Sequence, residues 1–237
     1  MLETRKGQIM NILIVAAHPD DEILGVGGTI AKHVEAGDSV YALILGEGQT
    51  SRFEKREDAG TEILEELHGD TLRSAAVLGM QDVYFENFAD NRFDSVDLLD
   101  IVKAVEKRIR ELQPTVIYTH HKGDLNVDHQ MTYKAVLTAT RPMAGQVVKE
   151  IYTYETVSST EWNFTYGDMQ FAPNVFVKLT DEQFEKKLEA MREYKSELCE
   201  YPHPRSLEML KAVATRWGGV VGGHYVEALE TVRVVRD

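Results

Sequence analysis

The sequence is short of cysteine, of basic charge and of long apolar runs, and each shortage removes a class of function. Only one cysteine, Cys199, occurs in 237 residues. It cannot close an internal disulfide, and a lone thiol suits a reducing cytoplasm. Lysine and arginine number 26 against 39 acidic residues, a formal net charge of −13. Such a surface repels nucleic-acid phosphates and anionic membranes, because binding there depends on basic side chains that displace counterions. No dense basic run offsets this locally, so neither nucleic acid nor membrane is an expected partner. No apolar stretch approaches the ~20 residues that span a bilayer. Residues 1–9 carry Glu3, Arg5, Lys6 and Gln8 and lack the apolar core of a secretory signal. They read as a flexible upstream extension, with Met10 as a natural start. A chain of this length is expected to form a single domain over residues 1–237.

What is present is an alternation of strand and helix signals. Residues 11–17 form a nearly continuous apolar run closed by His18-Pro19, the pattern of a strand buried on both faces. Residues 27–36 are helical in pattern and end at Gly37. Residues 39–45 read as a second strand, 55–78 as a helix with Gly69 as its weak point, and 81–85 as a short third strand. Residues 96–112 place Leu98, Leu99, Ile101, Val102, Val105, Ile109 and Leu112 on an amphipathic helix stopped by Pro114. Residues 115–119 make a fourth strand. This alternation predicts βαβ units, an α/β fold and a parallel sheet. Further strands are expected at 150–154, 174–179 and 225–235, with a charged surface helix over 181–198.

Open α/β sheets bind ligands at the carboxyl ends of their strands. After the first strand stand His18-Pro19-Asp20-Asp21-Glu22, and after the fourth His120-His121-Lys122-Gly123-Asp124-Leu125-Asn126-Val127-Asp128-His129. His18 and Asp21 supply an imidazole and a carboxylate, donors that suit zinc. A catalytic zinc keeps three protein ligands, and His129 is the natural third. Asp20 and Glu22 are then surplus carboxylates, and a carboxylate beside a metal-activated water can take its proton. Unpaired, three adjacent buried acids would be costly, and a divalent cation supplies their partner. The competing view of the same string is a solvated turn with helix-capping carboxylates. A second His/Asp cluster after another strand argues against it. A structural zinc fits less well, since such sites usually have four ligands and favour cysteine. Gly25, Gly27 and Gly28 lack the spacing of a dinucleotide fingerprint, and the carboxylates before them would repel a pyrophosphate.

Ala17-His18-Pro19-Asp20-Asp21-Glu22, then Gly27-Gly28-Thr29, then Asp124-Leu125-Asn126-Val127-Asp128-His129 resemble the PIG-L/LmbE family of zinc-dependent de-N-acetylases. The likeness runs through nearly the whole chain. It implies a Rossmann-like three-layer α/β/α sandwich with a mainly parallel sheet. It implies zinc held by His18, Asp21 and His129, with Fe2+ or Co2+ as other metals that such ligands accept. It makes Asp20 the general base and an N-acylated amino sugar or conjugate the substrate. It also admits a homo-oligomer. Another amide such as a formamide, or a non-catalytic metal or sugar binder, are the alternatives. Family members often carry histidine where this chain has Asn126. That amide can donate to an oxyanion but cannot supply a proton, a task His121 could take, as could Asp20 once it holds the water's proton.

Other positions have two readings each. Arg52 either faces the substrate or pairs with Glu54 or Glu57 at the surface. Asp128 either accepts from a neighbouring imidazole and orients it or caps the helix beginning near His129. Asp124 shapes its loop. The string Tyr201-Pro202-His203-Pro204-Arg205-Ser206 either lines the cleft or makes a rigid connection between helices. Asp90-Asn91-Arg92-Phe93-Asp94 either reaches the cleft or turns the chain. His33 and His68 fall on expected helices as ordinary residues, and His224 carries no assigned role.

Overall fold

The strand β1 (Asn11–Ala16) lies at the middle of the molecule because both of its faces are apolar. Successive side chains of a strand point to opposite sides. Ile12, Ile14 and Ala16 enter one core, and Leu13, Val15 and Ala17 the other. Around it the chain continues as α1 (Asp21–Glu35), β2 (Ser39–Gly46), α2 (Gly60–Leu78), β3 (Asp82–Phe88), α3 (Leu98–Leu112) and β4 (Val116–His120). Then follow α4 (Val127–Ala139), β5 (Glu150–Tyr154), β6 (Val175–Leu179), α5 (Asp181–Glu193), α6 (Leu207–Val221) and β7 (Tyr225–Val234). This computed structural model describes residues 9–164 and 167–236, so residues 1–8 of the expected extension lie outside the described residues.

The sheet order is β3-β2-β1-β4-β5-β7-β6. Neighbours from β3 to β5 are parallel, and β7 runs antiparallel to both β5 and β6. The sheet is thus mainly parallel, as expected. One core takes residues of α1, α2, α5 and α6, and the other takes those of α3 and α4, giving three layers. From β1 the chain winds outward through β2 and β3, then returns to place β4 on the opposite side of β1. The crevice between β1 and β4 is the switch point where such sheets bind ligands.

Several boundaries differ from those read in the sequence, for physical reasons. The first helix begins at Asp21, not near 27, because its carboxylates occupy the first turn. It carries a break at Val26. There Lys187 Nζ donates to Leu24 O (2.9 Å). The Glu227 carboxylate accepts from Gly28 N, Thr29 N and Thr29 Oγ1. Lys187 and Glu227 also pair at 2.6 Å, so one buried ion pair satisfies the backbone that the break releases. A Cβ on Gly25 would stand 2.2 Å from the Tyr154 ring, which explains that glycine by close packing and not by a nucleotide. Gly69 does not break α2, whose Leu67, Asp70, Thr71 and Ser74 are buried. The surface helix α5 stops at Glu193, short of 198. Among the described residues no helix is long and apolar enough to cross a membrane.

Candidate metal centre and catalytic cleft

Two segments at the carboxyl ends of β1 and β4 meet at Asp21. The turn after β1 folds back so that Asp21 Oδ2 accepts from His18 N at 2.8 Å. The same oxygen lies 3.5 Å from His18 Nδ1 and 3.3 Å from His129 Nε2. His129 sits in the first turn of α4, which starts just beyond β4. One ligand-type atom from each of His18, Asp21 and His129 falls within 4.8 Å of the other two. These three residues, expected as ligands from the sequence, are therefore brought together.

The nitrogens that face away from this point are held by other carboxylates. His18 Nε2 lies 2.9 Å from Asp128 Oδ2 and 3.1 Å from Asp90 Oδ1. His129 Nδ1 lies 3.1 Å from Asp124 Oδ1, though off the line of a good hydrogen bond. Metal-ligating imidazoles are characteristically fixed in this way through their second nitrogen. The donor set thus fits a divalent cation held by His18, Asp21 and His129. The electrostatics agree. Burial pushes the Asp21 carboxyl up, but His129 and His120 beside it hold it well below the usual range. Burial opposes charge on His129, yet Asp21 and Asp124 raise it to about 9. For His18, burial is likewise outweighed by Asp128, Asp21 and Asp90, and its pKa is raised. Carboxylates that favour an imidazolium proton here equally favour a cation.

Asp20 occupies the turn between His18 and Asp21 with φ of 94°, a conformation uncommon outside glycine. Two groups fix it: Glu22 Oε2 accepts its backbone N–H at 3.1 Å, and Arg205 Nη1 donates to its Oδ2 at 3.2 Å. Glu22 is therefore a support for Asp20 and not a spare acid near a metal. Its other oxygen accepts from Tyr194 OH. Burial lifts Glu22 to about 7 against that bond. Burial, then Glu197 and Asp21, also raise the Asp20 carboxyl, with Arg205 opposing.

A cleft of about 240 Å³ opens onto this centre. Asp20, Asp21, His18 and His129 lie in its floor, and Arg52, Asn126, Glu197 and Arg205 in its walls. Asn126 caps α4, its Oδ1 accepting from Asp128 N at 2.8 Å. With its oxygen spent on the cap, the amide nitrogen is the atom left for the cleft. Asp128 does not cap that helix. It accepts from Asn91 N and Phe93 N and orients His18. Arg52 pairs with Glu197 at 2.6 Å, not with Glu54 or Glu57. Asp124 accepts from Asn126 N and Thr160 Oγ1, shaping its loop as expected.

His121 requires correction. Its Nδ1 accepts from Gly123 N, its Nε2 lies 3.2 Å from Glu230, and its ring meets Phe171. It does not line the cleft with Asn126 and Arg52. The preceding residue, His120, is the one that stacks on His129, with ring centroids 3.9 Å apart. Sequence reading missed His120 because alternation along β4 sends adjacent histidines to opposite sides without saying which side holds the site. Burial and His129 lower His120 to about 4. It accepts from Ala17 N and reaches Thr156 Oγ1. Glu197, also missed, ties Gln49, Arg52 and Arg205 together from outside every strand-end motif. His203 stays behind Arg205, accepting its N–H. His224 pairs with Asp181 at the surface, and His33 with Asp38 and Tyr118 in the interior.

Comparison with known proteins follows this geometry. The model of the PIG-L family, described as GlcNAc-PI de-N-acetylase, matches residues 13–140. A protein of Escherichia coli K12 named uncharacterized deacetylase YaiS is 30% identical over 81% of this chain and 92% of its own. Diacetylchitobiose deacetylase of Thermococcus kodakarensis is 23% identical over 94% of this chain and 84% of its own. Among solved structures, a 4-carboxy-2-hydroxymuconate hydratase from Pseudomonas putida KT2440 superimposes with a TM-score of 0.70 at 22% identity, covering 97% of this chain and 99% of that one. The fold is thus shared by enzymes of different chemistry, and function must be argued from the site.

Proposed function

Since the chain belongs to the PIG-L family, whose model is described as GlcNAc-PI de-N-acetylase, we propose that it is a zinc-dependent hydrolase removing the acetyl group from an N-acetylated amino sugar or sugar conjugate. Membership makes it a hydrolase of amide C–N bonds. The metal, the base and the sugar are our reading, as is the treatment of residues 1–237 as one catalytic domain. The observation that carries it is the convergence of His18 Nδ1, His129 Nε2 and Asp21 Oδ2 on the floor of a cleft that Asp20 also lines.

A divalent ion at these ligands would supply Lewis acidity toward the acyl carbonyl and make water acidic enough to attack near neutral pH. The chain supplies the rest. Asp20, fixed by Glu22 and Arg205, accepts the water's proton and later returns it to the departing amine. The Asn126 amide donates toward the carbonyl. Side chains of Gln49, Ser51, Ser158 and Ser159 line the cleft and suit sugar hydroxyls. Zinc fits a donor set of two imidazoles and a carboxylate, and Fe2+ or Co2+ use the same ligands.

Metal analysis of the purified protein, with acetate and formate assays on N-acetyl and N-formyl amino sugars, tests this. Expected are zinc near one per chain and acetate release that chelation abolishes and zinc restores. Formate release alone would make the enzyme a deformylase, and bound metal without either product would leave a binding protein.

A further inference from the structure

This inference rests on the deacetylase reading and names the group that meets the negative charge built on the acyl oxygen. Few cleft groups qualify. His18 and His129 are committed as ligands. His120 is fully buried, its Nε2 accepting from Ala17 N and its Nδ1 turned to Thr156. His121 points elsewhere, and the Asn126 amide carries no charge. Arg52 is a cation, but its side chain is 47% exposed at the cleft's outer edge.

Arg205 is different. Its side chain is 22% exposed, lines the cleft and stands against Asp20. Burial works against its charge, yet Asp20 and Glu197 hold its pKa above the ordinary value. Only Nη1 is engaged, at 3.2 Å from Asp20 Oδ2 and 2.6 Å from Glu197 Oε2. Among the described residues, Nε and Nη2 have no acceptor, and Nε is buried. Its backbone is equally fixed, since its N–H donates to His203 Nδ1 and Ser206 next to it caps α6. Glu197 is in turn held by Gln49 and Arg52. The guanidinium is thus oriented before substrate arrives, with donors unspent.

We propose that Arg205 is a further catalytic residue, whose preoriented guanidinium stabilises the acyl oxygen as it becomes anionic. Arg205 gives up no proton in this scheme. Asp20 takes one proton from water, the new C–O bond forms, and the carbonyl π pair moves onto oxygen beside the guanidinium. That pair then re-forms C=O, the C–N bond breaks, and the amine leaves with the proton Asp20 had taken. Asp20 contacts the same guanidinium, so base and charge acceptor are adjacent.

The test compares Arg205→Ala and Arg205→Lys with wild type, all zinc-loaded, on a glucosaminide carrying N-acetyl or N-trifluoroacetyl. Fluorines carry part of the oxyanion charge themselves. Arg205→Ala should keep full metal content and a similar KM while kcat falls by about 10²–10³, the loss typical of a removed oxyanion donor. That loss should shrink several-fold on the trifluoroacetyl substrate and be partly rescued by added guanidinium. Arg205→Lys, which retains charge but not the fork, should fall between them. An equal loss on both substrates, a change confined to KM, or lost metal would overturn the proposal. So would undiminished turnover by Arg205→Ala while wild type is active. A wild type inactive on every N-acetyl sugar would instead remove the deacetylase reading, and this inference with it.

Discussion

Asp128 Oδ2 lies 2.9 Å from His18 Nε2 while accepting from Asn91 N, so the imidazole is aimed by a carboxylate that is itself pinned. Its other oxygen accepts from Phe93 N at 2.9 Å. Asp128→Asn replaces one acceptor by a donor and leaves Asp90 Oδ1, at 3.1 Å, as the carboxylate that holds the ring. Metal affinity should fall by about 10–100-fold, the usual effect of losing such an outer partner. Competition against a chromophoric chelator measures it, and unchanged affinity would remove Asp128 from this role.

Asp20→Asn keeps the shape of the turn and removes the proton acceptor. It should retain metal and lose turnover by about 10²–10⁴-fold, the range of general-base contributions. Wild-type acetate release from this variant would sink the assignment of Asp20.

The Lys187–Glu227 pair is buried and bonds the backbone at the break in α1. Removing one partner strands the other's charge. Lys187→Met should cost about 3–5 kcal/mol in chemical denaturation. Adding Glu227→Gln should recover part of that, because the carboxamide oxygen still accepts one backbone N–H. A double variant no better than the single one would show that the pair is not the unit.

Asp38 ties two elements, accepting from His33 Nδ1 at 2.7 Å and from Met10 N at 3.0 Å. Burial raises its pKa, but the His33 and Met10 bonds outweigh it and the net value is lowered. A depressed folded pKa means stability that is present above the unfolded value of about 4 and lost as pH falls through the folded one. The urea midpoint of wild type should therefore exceed that of Asp38→Asn at pH 7, with the gap narrowing below about pH 4. A gap that stays constant down to pH 3 would refute it.

Much of this was legible in the amino-acid order because strand burial is a local signal. The run ending at Ala17 announced a central strand, and position after that strand announced His18, Asp20 and Asp21. His129 was legible for the same reason, at the mouth of the fourth strand. Glu197 and Arg205 were harder. They reach the cleft from the connection between α5 and α6, and tertiary packing alone decides that they face Asp20. His121 and His120 illustrate a parity problem: adjacent residues at a strand's end diverge, and pattern alone does not choose between them. The break at Val26 was invisible because the groups that stabilise it, Lys187 and Glu227, lie on α5 and β7.

The cleft also divides along the chain. His18, Asp20, Asp21 and His129 are all contributed before residue 130, while Thr156, Ser158, Ser159, Glu197 and Arg205 come from beyond residue 155. Thr156, Ser158 and Ser159 follow β5, and Glu197 and Arg205 lie between α5 and α6, whereas the floor follows the parallel strands β1 and β4. Exchange of the loop that carries Ser158 can therefore alter which molecule is admitted while leaving Asp20 and Arg205 in place. A scaffold split this way lets substrate range diverge without rebuilding the chemistry.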